Sequence, residues 1–244
     1  MKAERFEDQV ARAWSSHIGC APEALERPGT VLVPLERLAG SGAVHLTRLR
    51  GLTLAEIAPE LDGELRQLLS RVGHEAGLTA SILRGSIPPE RVRTDDQGFI
   101  FHLDPDCLIV HTPAPPFILR ALTALDQETL QALFDRCQAN EVDDAYVDTT
   151  HEIACGCFVG ERMVACGSGY RRHGFMDLGV LTDPGFRGQH LAPGIVAVLA
   201  RSSLSRGAMP MYRCDETNAA SRRVAEEAGF TRCFTTESLT LAMA

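Results

Sequence analysis

Leu181-Thr182-Asp183-Pro184-Gly185-Phe186-Arg187-Gly188-Gln189-His190-Leu191-Ala192 is the stretch from which the fold is read. It follows a strand-like run, Phe175 to Leu181, and opens into a helical pattern in which Leu191, Ile195, Val198 and Leu199 share one stripe. Gly207 stands where a helix-terminating glycine belongs. A strand that stops at a turn and passes straight into a helix gathers unpaired backbone N–H groups and the positive end of the helix dipole at one point. Such a junction is an anion site. Gly188 lets the backbone approach a ligand closely, and a pyrophosphate fits such a cradle. Pro193 falls in the first helical turn, where its missing donor does no harm.

The pattern continues on both sides. Upstream, the sequence predicts a strand at Phe117 to Thr123, a helix at Asp126 to Ala139, and strands at Glu152 to Val159 and Met163 to Tyr170 joined by the hairpin turn Gly160-Glu161-Arg162. Downstream it predicts a strand at Met209 to Cys214 and a helix at Ala219 to Ala228, capped by Asn218 and stopped by Gly229. Two further strands are expected around Phe230 to Phe234 and at Ser238 to Met243.

Before this region, residues 3 to 17 read as an amphipathic helix with Phe6, Val10, Ala13 and Trp14 on one face, followed by a short helix around Pro22 to Leu25. Strand-like runs occur at Val31 to Val33, Ala43 to Leu49, Phe99 to Leu103 and Cys107 to Val110, with Leu54 to Val72 looking helical between them. The segment His111-Thr112-Pro113-Ala114-Pro115-Pro116 is rich in proline, which removes donors and keeps its predecessor extended. A domain boundary is expected there, giving a smaller mixed α/β domain over 1–116 and a second α/β domain over 117–244.

Composition narrows the function. With 45% apolar and 23% charged residues the chain is expected to be a soluble globular protein. Acidic residues outnumber Lys and Arg by 32 to 24, a net charge of -8, which argues against a nucleic-acid partner because phosphate neutralisation needs a basic face. The N-terminus lacks the apolar core of a secretory signal, and no run reaches the roughly 18 apolar residues of a membrane span. A cytoplasmic protein without a membrane partner is therefore expected. The eight cysteines, Cys20, Cys107, Cys137, Cys155, Cys157, Cys166, Cys214 and Cys233, never occur as Cys-x-x-Cys, and read as reduced core residues rather than a metal or redox site. Nothing in the sequence points to an oligomer, and none is excluded.

The opening stretch resembles the acetyl-coenzyme A-binding motif of the GNAT N-acetyltransferase superfamily, Arg/Gln-x-x-Gly-x-Gly/Ala. Asn218-Ala219-Ala220-Ser221-Arg222-Arg223-Val224-Ala225-Glu226-Glu227-Ala228-Gly229-Phe230 is similar to that family's second signature, an asparagine-led helix ending in Gly-Phe. The resemblance covers about residues 117 to 244 and implies a mixed central sheet flanked by helices, acetyl-coenzyme A as acyl donor, no metal, and direct acetyl transfer to a primary amine of a small molecule or peptide. It implies main-chain pairing of the pantetheine arm with Leu181 and Thr182, phosphate contacts from Arg187, Gly188, Gln189, His190, Leu191 and Ala192, and further contacts from Asn218 and Ser221.

Two positions depart from the family pattern. His190 stands at the usual glycine of the fourth motif position, and Ala225 stands where many members carry a tyrosine that protonates the departing thiolate. Ser221 is the expected substitute. Asp177, inside the strand leading to the loop, is the candidate base, because an acid in an apolar strand is costly unless it is paired or lines a cleft. Tyr170 is a third catalytic candidate, as acid or substrate wall. Glu152, His151 and the acidic residues Asp143, Asp144 and Asp148 lie in the segment expected to cover the acceptor. The other reading of the two departures is a non-catalytic acyl-coenzyme A-binding sensor.

Overall fold

The computed structural model describes residues 5–73 and 77–242, with the backbone alone at 94 and 95. In chain order its regular elements are α1 (Phe6–Ile18), β1 (Gly29–Pro34), β2 (Ala43–Leu49), β3 (Leu52–Ile57), α2 (Asp62–Val72), α3 (Ala80–Ser86), β4 (Val92–His102), β5 (Ile118–Ala121), α4 (Gln127–Phe134) and α5 (Ala139–Ala145). There follow β6 (Ile153–Val159), β7 (Arg162–Arg172), β8 (Phe175–Thr182), α6 (Leu191–Ser205), β9 (Pro210–Asp215), α7 (Ala219–Glu227) and β10 (Thr231–Leu241). The class is mixed α/β, with mixed sheets flanked by helices, as the sequence predicts. Two compact units result: the first takes the chain through Ile100 together with Asp215–Thr217 and the residues from Cys233 onward, and the second takes Phe101–Cys214 and Asn218–Arg232.

In the first unit the strand order is β1-β3-β2-β10-β4. β3 runs parallel to β1 and antiparallel to β2, and every one of its residues is buried. Leu54 to Ile57 is therefore strand and not the start of the helix expected from Leu54. A strand covered on both faces has no period-two alternation to betray it. Leu46, Ile57, Leu61, Leu65, Leu83 and Leu239 close the core of this unit, and Trp14 of α1 packs edge-on against Phe234 at 5.8 Å between ring centres.

The second unit has the order β9-β8-β7-β6-β5, with β8 parallel to β9 and the other neighbours antiparallel. One face is covered by α4 and α5, whose Leu130, Leu133 and Ala145 join Cys166 and Leu181 in a buried cluster. The other face takes α6. The contact is close: a Cβ on Gly167 would lie 2.6 Å from Ile195 and 3.0 Å from Leu199. Leu191, Ile195 and Leu199 are buried on α6 as expected, but Val198 is 40% exposed, on the strip it shares with the exposed Arg201 and Ser205, three and seven positions on.

Other expectations change in detail. Cys107 to Val110 is not a strand; Pro105–Cys107 forms a short turn of 3₁₀ helix instead. The helix expected over Asp126 to Ala139 ends at Phe134, and a separate helix, α5, carries Asp143 and Asp144. The two short strands expected after Phe230 are one strand, β10, whose Thr235–Thr240 pair with Ala43–Arg48 of β2. Met243, the last residue of the expected strand, and the first residues of the expected N-terminal helix lie outside the described residues. Of the eight cysteines only Cys155, Cys157 and Cys166 are buried; Cys107 is exposed.

The position 116/117 falls inside the second unit rather than between the two. Bonds to a distant part of the chain tie the start of the proline-rich segment and the residues before it into that unit. The Ile109 N–H donates to the Ala228 carbonyl at 3.2 Å, and His111 Nε2 donates to the Glu227 carbonyl at 2.9 Å. Gly194 admits the His111 carbonyl where a Cβ would sit 2.9 Å from it.

Candidate active site

β8 and β9 pair over three residues, Met176 with Pro210, Asp177 with Met211 and Leu178 with Tyr212, and then separate. Gly179 to Thr182 are thus not paired to β9, which leaves main-chain groups along one strand edge, where the Thr182 carbonyl accepts from Arg187 Nε at 3.4 Å. Glycine is required at 179: a Cβ there would lie 1.8 Å from the carbonyl oxygen of Ala145, at the end of α5. At the end of the open edge the Thr182 hydroxyl is buried with no hydrogen-bond partner among the described residues.

The loop after β8 is held from below. Asp183 Oδ1 accepts from the Gly185 N–H at 2.9 Å, and Oδ2 accepts from Arg136 at 2.6 Å and Arg162 at 2.8 Å. Burial pushes the Asp183 carboxyl up, but the two guanidinium bonds outweigh it and hold it below its usual range. The chain then turns with φ of 74° at Gly188 and 55° at His190, the residue that precedes α6. No side chain caps the first turn of α6, a helix of 15 residues, so its N–H groups stay available to an anion. His190 reaches αL, so the departure from glycine is sterically accommodated. Its ring stacks on His111 at 6.1 Å, and Nδ1 lies 3.0 Å from Glu227. Arg187 is turned to Glu141, with Nη2 2.8 Å from each carboxylate oxygen.

The second motif begins three residues after β9. Asn218 Oδ1 accepts from the Ser221 N–H at 2.9 Å, the helix cap expected for it. The Ser221 hydroxyl lies 2.9 Å from the hydroxyl of Tyr212, a residue that no sequence motif singles out. Burial pushes the Tyr212 phenol up to about 12. Ala225 is fully buried.

Consecutive residues of a strand face opposite ways, so Arg213 points away from Tyr212, to the face of α4 and α5. Asp177, buried in the strand, accepts there on a single oxygen, Oδ2: from Arg213 Nε and Nη2, both at 2.8 Å, and from the Tyr170 hydroxyl at 3.1 Å. Burial first, and then the Asp177 charge, raise the Tyr170 phenol. The Tyr170 ring is 5.2 Å from that of Tyr146 and 5.0 Å from that of His151. His151 Nδ1 bonds the Ser168 hydroxyl at 2.8 Å, and burial lowers its pKa. Glu152 is at the surface, 3.4 Å from Arg171.

The structure thus unites Asp177 with Tyr170, and Asn218 with Ser221, while Tyr212, Arg213, Tyr146 and Ser168 are additions. Their side chains meet across strands or from strand to helix, and no local spacing announces them.

Residues 128–238 match the family model described as GNAT acetyltransferase. The second half of the chain carries a GNAT acetyltransferase domain. Solved structures agree in fold. A GCN5-related N-acetyltransferase from Sphaerobacter thermophilus superposes with a TM-score of 0.56 at 13% identity, over 94% of this chain and 90% of that one. A GCN5-related N-acetyltransferase from Kribbella flavida gives 0.55 at 14% identity, over 99% and 98%. A GCN5-related N-acetyltransferase-like protein from Streptococcus suis gives 0.52 at 16%, over 97% and 98%. No curated protein matches the chain. Within the GNAT domain the open edge of β8, the glycine loop and the start of α6 occupy one continuous line. Among the described residues no group of three or more His, Cys, Asp or Glu side chains is placed to hold a metal ion, and no helix is long and apolar enough to cross a membrane.

Proposed function

We propose that the protein is a cytoplasmic N-acetyltransferase that moves an acetyl group from acetyl-coenzyme A to a primary amine of a small molecule or peptide, with both substrates bound together. The observation that carries this reading is the separation of β8 from β9 after Leu178 and Tyr212, followed by the uncapped start of α6. A pantetheine arm fits as a short added strand on Gly179 to Thr182, and the orphan Thr182 hydroxyl offers it a polar partner. The loop N–H groups from Gly188 to Ala192 suit the pyrophosphate. Arg187 and His190 rim that cradle, and Gln189, Leu191 and Ala192 shape it.

The amine is assigned to the opposite face, against Asp177, Tyr170 and Tyr146. All recorded bonds to Asp177 fall on Oδ2, so Oδ1 is the oxygen available to take the amine proton, directly or through water. The amine nitrogen then attacks the thioester carbonyl, the oxyanion is held by a strand N–H, and the C–S electrons leave on sulfur beside Ser221. Holding both partners at the gap between two strands supplies the proximity that the reaction needs.

Calorimetry with acetyl-coenzyme A, followed by thiol release across a panel of amines, tests the reading. Saturable binding with turnover of at least one amine is expected. Absence of binding overturns it. Binding without any turnover favours a non-catalytic acyl-coenzyme A sensor, the reading that Ala225 in place of the tyrosine suggests.

A further inference from the structure

The hydroxyl pair of Tyr212 and Ser221 has a direction. A hydroxyl carries one hydrogen and two acceptor positions, and a buried donor left without an acceptor is strongly disfavoured. Tyr212 is 3% exposed, and among the described residues its hydroxyl has one recorded partner, Ser221 Oγ at 2.9 Å. If Ser221 were the donor, the phenolic hydrogen would be buried with nothing to receive it. Tyr212 therefore donates, and the hydrogen of Ser221 is released to point elsewhere.

Other helix serines here behave differently. Ser203 donates to the Leu199 carbonyl at 2.8 Å, Ser70 to the Gln67 carbonyl at 2.8 Å and Ser15 to the Arg12 carbonyl at 2.9 Å, each folding its hydrogen back onto its own helix. Ser221 has no such bond recorded, and its N–H is already satisfied by Asn218. Its hydroxyl is half-buried, in the first turn of α7, next to the residue at which β9 leaves β8.

We infer that Tyr212 is a positioning residue that turns the Ser221 hydroxyl hydrogen toward the coenzyme sulfur, so that Ser221 stabilises the departing thiolate as a hydrogen-bond donor. This rests on the acetyl-coenzyme A reading above. In the step concerned the amine nitrogen forms its bond to the acetyl carbon, the C–S bond breaks with both electrons passing to sulfur, and the amine proton passes to Asp177 or water. The Tyr212 hydroxyl keeps its proton throughout, as a phenol held up to about 12 does at ordinary pH. The thiolate later takes its proton from solvent.

The inference is tested with free coenzyme A, which needs no acceptor amine. The ultraviolet thiolate absorbance of bound coenzyme A is followed against pH in the wild type, Ser221→Ala, Tyr212→Phe and the double variant, with affinity measured by calorimetry at each. The bound thiol is expected to titrate about one pH unit lower in the wild type than in either variant, a tenfold shift. The double variant is expected to match Ser221→Ala, since Tyr212 acts only through Ser221. Tyr212→Phe keeps the ring and its packing, so a structural role alone would leave the titration unmoved. Binding of normal affinity with the same thiol titration in all four proteins overturns the inference and leaves the acetyl-coenzyme A reading standing. A wild type that binds no coenzyme A overturns both.

Discussion

At the scale of single residues, the proposed chemistry divides between the two faces of one strand gap, and substitutions should divide with it. Asp177→Asn is expected to lower turnover by roughly 10² to 10⁴ with coenzyme affinity nearly unchanged, the usual worth of proton transfer. Ser221→Ala is expected to cost less, because a thiol with a pKa near 8.5 is already a fair leaving group. A dead Ser221 variant beside a fully active Asp177 variant would move the base to His151 or to water. Gly188 belongs to the loop proposed to bind the coenzyme. Its φ of 74° strains any side chain, and Gly188→Val is expected to weaken acetyl-coenzyme A by tenfold or more, about 1.4 kcal/mol, read by calorimetry. His102 concerns stability. Its Nδ1 donates to the Pro210 carbonyl at 3.1 Å, and burial lowers its pKa from 6.5 to about 4. The unfolded chain binds that proton more readily, so the contribution is complete above pH 6.5 and is lost as pH falls toward 4, by about 3 kcal/mol. Urea midpoints for the wild type should drop across that window more steeply than for His102→Gln; parallel lines would show that the group does not titrate as described.

At the scale of elements, the approach of α5 to β8 is set by the missing side chain of Gly179. Gly179→Ala would drive a methyl to 1.8 Å from the Ala145 carbonyl, which two packed backbones cannot absorb without moving apart. A loss of about 3 kcal/mol is expected, on the order of 10 °C in Tm, checked by calorimetric melting. Normal melting would mean that α5 shifts freely. The same element shows what a sequence reveals. The loop from Asp183 to Ala192 is legible because its signals, the end of a strand, the glycine and the start of a helix stripe, follow one another closely in the sequence. β3 is not legible at its helix-like end, since burial of all six residues erases alternation. Tyr212 reads only as an apolar strand residue, because its hydroxyl meets a helix nine positions later, across a turn that local pattern does not describe.

At the scale of the whole molecule, the chain interleaves its units, and a linear reading hides this. Proline composition marks residues 111–116 as a joint, yet that part of the chain bonds to Glu227 and Ala228, more than a hundred positions away. β10 likewise finds its partner in β2, near the start of the chain. We propose that residues 101–232 suffice for coenzyme binding and that removing everything from Cys233 unfolds the first unit, because β2 then loses the strand paired along Ala43–Arg48. Hydrogen exchange on the truncated chain checks this, with lost protection at β2 and β3 as the expected outcome. The burial of Cys155, Cys157 and Cys166 has a practical corollary. Burial raises all three thiols, Cys155 to about 12, whereas Cys107 is exposed. A thiol-reactive dye added to follow coenzyme release will therefore meet an early background from the protein's accessible thiols, Cys107 first. The three masked thiols will join that signal only when the sheet opens, so one reagent can count turnovers in the cold and report denaturation in the heat.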